Sequence, residues 1–218
     1  MALYIGICLA VVYGLTAMTA AQADMKDSCR WTCLTFAQLW PGSFCLTLSK
    51  LPCMIPDQVD GWTIHGLWPN GKESCNRTWK LAQKDIGDLW TDMRKYWPSL
   101  ISEDPFKFWQ NEWTKHGTCA TCAKNMSCPH KYFSLALELR TKVSINEYFS
   151  AAGIKPSCHN GYTKRQVLVQ IKIRFSKDLS IGCKTFEENF THSYYKPCTK
   201  KSEIYLYPFT DHPHNPCS

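Results

Sequence analysis

The stretch "WTIHGLWPNG", residues 62–71, reads as a strand interrupted at Gly66 and closed by a Pro-Asn-Gly turn. Upstream, "WTCLTFAQLWP" (31–41) has the length and the β-branched and aromatic content of another strand, ended by Pro41-Gly42. Downstream, the apolar period changes from two to about 3.6 residues. "LAQKDIGDLWTDMRKYW" (81–97) spaces its apolar residues helically and stops before Pro98. "PFKFWQNEWTKH" (105–116) opens on a proline suited to a first helical turn and stops at Gly117, and "HKYFSLALELRTKV" (130–143) is a third helix. Strand periodicity returns in "QVLVQIKIRF" (166–175), where Val167, Val169, Ile171, Ile173 and Phe175 alternate with Leu168, Gln170, Lys172 and Arg174. "EIYLYPF" (203–209) is the last predicted strand. Strands towards both ends, with helices grouped between them, predict an α+β fold: one domain, an antiparallel sheet with helices packed around it.

A chain of 218 residues suits a single domain, and no repeat, low-complexity tract or Gly/Ser linker divides residues 24–218. Residues 1–23 carry no Asp, Glu, Lys or Arg, run apolar through "LYIGICLAVVYGL" and end on Ala21-Gln22-Ala23. That is the pattern of a secretory signal peptide cleaved after Ala23. The run is too short and interrupted for a membrane span, and nothing later resembles one. Cys8 falls in the leader, leaving 12 of the 13 cysteines, an even number that an oxidising compartment pairs. Zinc is the competing use of cysteine. Cys119, Cys122 and Cys128 include a C-x-x-C, but no second pair or His-x-x-x-His accompanies it, so neither a metal nor another cofactor is expected. Sequons at Asn76, Asn125 and Asn189 agree with secretion, and the expected location is extracellular or lysosomal, with the chain acting as a monomer. Because the leader is uncharged, the mature chain keeps the formal +7. That balance favours polyanions such as nucleic acid, although many secreted proteins are basic for solubility alone. No block of five like charges makes a tail that grips phosphates without chemistry.

Two stretches carry chemistry. On a helix at about 100° per residue, Trp109, Glu112, Trp113 and His116 fall within one arc, with Lys115 on its flank beside Phe108. An ionised carboxylate on a core-facing stripe is costly unless it is paired or opens to a cleft. Either Glu112 and His116 pair at i, i+4, or they edge a solvent-lined pocket floored by tryptophan; the bland alternative is that both snorkel at the helix margin. The second stretch puts His65 beside Gly66 and the aromatic Trp68, on the face opposite Trp62 and Ile64. If the two elements pack together, two imidazoles, a carboxyl, a lysine and aromatics converge. Cleavage of RNA through its own 2′-hydroxyl needs that set: one imidazole to take a proton, another to give one to the leaving 5′-oxygen, and a cation for the crowded phosphorane. With an ordinary pKa of about 6.5, histidine suits both proton tasks.

"WTIHGLWPN" and "FWQNEWTKHGTC" resemble the two active-site segments of the ribonuclease T2 family of secreted and lysosomal acid ribonucleases, and "LWPGSFC", "CNRTW" and "MRKYWP" resemble its animal members. The similarity is dense from about Gln38 to Cys119 and thin after about residue 160. The resemblance implies a metal-free endoribonuclease that releases a 2′,3′-cyclic phosphate; DNA lacks the attacking hydroxyl. It assigns His116 as general base, His65 as general acid, and Glu112 with Lys115 as stabilisers of the phosphate. Trp68, Asn70, Asn111 and Gln38 fall at substrate-binding positions, Trp68 as a stacking aromatic. Asn111 stands where many members have histidine, and Asn70 where several have an acidic residue. It also implies the bonds Cys45–Cys53, Cys75–Cys119, Cys158–Cys217 and Cys183–Cys198, with Cys29, Cys33, Cys122 and Cys128 unassigned. The alternative left open is a family-shaped glycoprotein that binds or signals, its catalysis incidental or lost. A metal- or carbohydrate-binding module would explain neither segment.

Overall fold

The structure, a computed structural model, describes residues 29–48, 51–158, 162–163, 166–183, 203–208, 210 and 213–217. The predicted leader, Asn189 and Cys198 lie outside the described residues. Strand β1 (Cys33–Leu39) is buried along its whole length and is followed by a short helix α1 (Pro41–Thr47), with Pro41 at its start. Strand β2 (Thr63–Pro69) leads to three helices: α2 (Trp90–Tyr96), α3 (Phe106–Glu112) and α4 (Pro129–Lys142). Helix α5 (Ile145–Ala151) precedes the short strands β3 (Tyr162–Thr163) and β4 (Gln166–Val167). The longer β5 (Gln170–Ser176) and then β6 (Glu203–Tyr205) complete the elements.

The main sheet has the order β2-β1-β5, antiparallel throughout, so β1 pairs on both edges. A smaller sheet, β3-β6-β4, mixes an antiparallel and a parallel pair. The predicted strand 166–175 is therefore two strands. It changes partner at Leu168, whose N–H goes to Tyr205, and Val169, whose carbonyl accepts from Trp40. The predicted helix 81–97 is α-helical only from Trp90. Asp85 turns its carboxylate back onto the N–H of Ala82, and Gly87 follows, so this stretch forms short 3₁₀ turns instead.

The core lies between the main sheet and α2, α3 and α4. It holds Leu34, Phe36, Ile64 and Leu67 from the strands against Trp97, Trp109, Trp113, Tyr132 and Phe133. Each buried indole must find an acceptor for its N–H. Trp97 uses the carbonyl of His65 at 3.1 Å, Trp109 that of Trp97 at 2.8 Å, and Trp113 that of Trp79 at 2.9 Å. Burial and polar satisfaction thus tie the helices to the second strand at the residue of interest.

Bonds Cys45–Cys53, Cys75–Cys119 and Cys158–Cys217 form as expected. Cys183 does not follow the expected pairing with Cys198: it is bonded to Cys33. The register explains this. Cys33 lies opposite Ser176, the end of β5, and the chain after β5 doubles back through the Phe175–Ile181 bridge and the Gly182 N–H to Arg174, returning Cys183 to the start of β1.

Candidate active site

The pairing of β1 with β2 slips by one residue. Ala37 is opposite Gly66 and Gln38 is opposite Ile64, which leaves His65 as the extra residue of a β-bulge. A bulge re-aims the side chain it carries, and bulges concentrate beside active sites. Facing it, α3 widens after Glu112 into a π-helical turn, Trp113–Gly117. Such turns are single insertions that displace one side chain around the helix. Here the turn leaves Lys115 exposed and His116 buried. Gly117 makes it possible, because a Cβ there would overlap the ring of Trp113.

Trp68 joins the two elements. Its ring centroid lies 5.0 Å from that of His65 and 5.4 Å from that of His116, so both imidazoles contact one indole. Its Nε1 donates to Glu112 Oε2 at 2.9 Å. The carboxyl is therefore bonded to the indole of Trp68 rather than paired with His116. A side chain at position 66 would overlap both ends of that hydrogen bond, which gives the glycine in "HGLW" its reason. The turn after β2 closes the site from the other side. The Ser74 N–H donates to the carbonyl of Lys115 at 2.7 Å, Lys115 Nζ is 3.3 Å from Glu73, and Cys75–Cys119 fastens the turn to the end of the helix. Because Cys119 is in that bond, the C-x-x-C is not a thiolate pair.

Burial sets the proton affinities. It pushes the Glu112 carboxyl up to about 7, against the N–H of Trp68 and the charge of Lys115, which act downward. Burial lowers the His116 imidazole to about 3, helped by Lys115 and by His65. His65 is also lowered by burial; a hydrogen bond to Gln170 opposes this, and Lys172 and Lys115 add to it. The charge of His65 thus reaches His116, so the two rings lie close enough to interact.

Other expected residues are distributed unevenly. Asn111 is exposed and, with His65, Leu39, Phe44, Leu100 and Phe108, lines a cavity of about 380 Å³ beside the imidazole. Asn70 directly follows β2, its side-chain oxygen accepting from Thr35 at 2.7 Å. Gln38 does not join the set. It is fully buried, and its amide reaches the carbonyl of Val143 past the end of α4. Two contacts were not anticipated. Gln170 Oε1 lies 2.8 Å from His65 Nδ1, and Lys172 Nζ sits 5.5 Å from the Trp68 ring centroid. The signal available was the polar half of the "QIKIRF" alternation.

The model of the Ribonuclease T2 family matches residues 31–206, and the chain belongs to that family, as an endoribonuclease of the T2 type. Among individual relatives, it is 37% identical to ribonuclease Oy of Magallana gigas over 182 residues, covering 80% of each chain. It is 39% identical to ribonuclease T2 of Homo sapiens over 153 residues, 69% of this chain and 57% of the human protein. Its fold superposes on a crystal structure of human RNase T2 with a TM-score of 0.67 at 30% identity, covering 82% of this chain and 99% of that one. RNase NT in complex with 5′-AMP gives 0.66 at 27% identity, with coverages of 82% and 99%.

Proposed function

We propose that the mature chain, residues 24–218, is a secreted or lysosomal endoribonuclease that cuts single-stranded RNA by metal-free transphosphorylation. In this reading His116, neutral through the acid range, takes the proton of the 2′-hydroxyl, and the oxygen attacks the adjacent phosphorus. Lys115 and the proton-bearing Glu112 stabilise the charge that gathers on the non-bridging oxygens. His65 gives its proton to the departing 5′-oxygen, leaving a 2′,3′-cyclic phosphate that is hydrolysed later to the 3′-phosphate. Trp68 supplies the stacking surface, and the apolar cavity beside His65 suits a neighbouring base. The carrying observation is that two imidazoles from separate elements contact the same indole, whose N–H is held by the carboxyl. Exposed Asn76 and Asn125 support glycosylation there, and among the described residues no helix is long and apolar enough to cross a membrane.

The test is cleavage of yeast RNA by the oxidised protein, with and without EDTA, between about pH 4 and 8. His65→Ala and His116→Ala are each expected to lower the rate by at least about 100-fold, the upper part of the usual contribution of a positioned acid or base, with unchanged circular dichroism. The alkaline limb of kcat/KM is expected below the ordinary 6.5 of histidine, because His65 is lowered in the free enzyme. Near-full activity of either variant would overturn the assignment, and EDTA-sensitive cleavage would overturn the metal-free mechanism.

A further inference from the structure

The catalytic side chains proposed so far come from β2 and the end of α3, yet a third element, β5, reaches two residues of β2. Along β5 the side chains alternate. Ile171 and Ile173 pack with the hydrophobic clusters, while Gln170 and Lys172 share the other face. Between β2 and β5 runs β1, with Leu39 opposite both Thr63 and Gln170, and the bulge brings His65 within reach of the glutamine. Gln170 presents its carbonyl oxygen to His65 Nδ1 at 2.8 Å. An amide oxygen only accepts, so Nδ1 keeps its proton and Nε2 is left for the reaction. Independently, Lys172 Nζ lies over the ring of Trp68 at 5.5 Å.

We propose that β5 forms a third wall of the active site, with Gln170 the positioning residue of His65 and Lys172 a second cation facing RNA phosphate above Trp68. This rests on the reading of His65 as the general acid. The choice of an amide matters chemically. A carboxylate at position 170 would hold the imidazolium and make it a reluctant proton donor, whereas the neutral oxygen orients the ring and holds its proton less firmly. The other charged and titratable groups acting here are Lys115 on the π-helical turn, His116 across the indole, and Glu112 through the Trp68 N–H.

Three variants test this, by initial rates on dilute yeast RNA across pH and salt, alongside NMR titration of the His65 ring in the protein without RNA. Gln170→Glu is expected to move the alkaline limb and the His65 titration up by about one pH unit, as an adjacent opposite charge does. Gln170→Leu should move both down and lower kcat/KM about tenfold, the scale carried by hydrogen-bond partners that orient ligating imidazoles. Opposite shifts from two substitutions at one site separate positioning from a merely structural role. Lys172→Met should raise KM and flatten the salt dependence, with kcat nearly kept. If His65→Ala is inactive but both Gln170 variants titrate as wild type, the positioning role fails while the catalytic reading stands. If His65→Ala is active, the catalytic reading itself fails. An unchanged KM and salt slope in Lys172→Met would remove Lys172 from the site.

Discussion

Glu112 and His116 are each 8% exposed, and burial drives them in opposite directions. Glu112 holds its proton to about 7, whereas an unfolded glutamate releases it near 4.5. Between those values the native state binds more protons than the unfolded chain, so this group lowers stability as pH rises through the interval. His116 refuses a proton until about 3 and would take it near 6.5 when unfolded, so its contribution falls as pH drops through that window. From 4.5 to 6.5 the two slopes oppose each other and largely cancel. Removing one member exposes the other. Glu112→Gln keeps an acceptor for the Trp68 N–H but cannot ionise, so its stability advantage over wild type should grow by roughly 3 kcal/mol from pH 4.5 to pH 8. Urea unfolding at the two pH values measures this. A constant difference would mean that Glu112 is not the buried group that titrates.

Two irregular elements, the β2 bulge and the π-helical turn of α3, meet at Trp68, and neither was legible as periodicity. The "HGLW" and "KHG" patterns located the strand, the helix and their chemistry, because histidine beside glycine between aromatics stands out locally. A one-residue slip, however, depends on what the partner strand pairs with, and Gly66 and Gly117 show their purpose only against Trp68, Glu112 and Trp113. Gln38 misled for a related reason: its resemblance to a substrate-binding position said nothing of the carbonyl of Val143, far away in sequence, that claims its amide. Non-local pairing also hid the Cys33–Cys183 bond, which follows from the hairpin-like return after β5. One of the contacts that hold the bulged strand against the helices is a single hydrogen bond: Tyr132 on α4 is fully buried and donates its hydroxyl to the carbonyl of Leu67 at 2.7 Å. Tyr132→Phe keeps the ring and leaves that carbonyl without this donor. The expected loss is about 1–3 kcal/mol of unfolding free energy. A loss under about 0.5 kcal/mol in urea unfolding would show that Tyr132 holds β2 through the packing of its ring and not through its hydroxyl.

At the scale of the whole molecule, the formal charge of +7 acts on RNA before any hydrogen bond forms. A net charge of that size does not by itself locate a site, since lysines for solubility would be scattered. Here Lys115 and Lys172 come from distant parts of the chain, and both act on His65. Their convergence concentrates the field at His65, the proposed general acid. Each cation that meets a phosphate displaces a counterion, and for single strands log affinity falls by about 0.7 per log unit of salt for every phosphate neutralised. With two such cations, log kcat/KM at limiting RNA should fall with a slope near −1.4. Converting one of them to a neutral residue should bring the slope near −0.7, and the Lys115→Met, Lys172→Met double variant should show almost none. Measurement between about 50 and 300 mM salt distinguishes this local account from a diffuse one. If the double variant keeps the wild-type slope, the attraction arises from the remaining surface lysines and arginines, and the cleft has no privileged share of it.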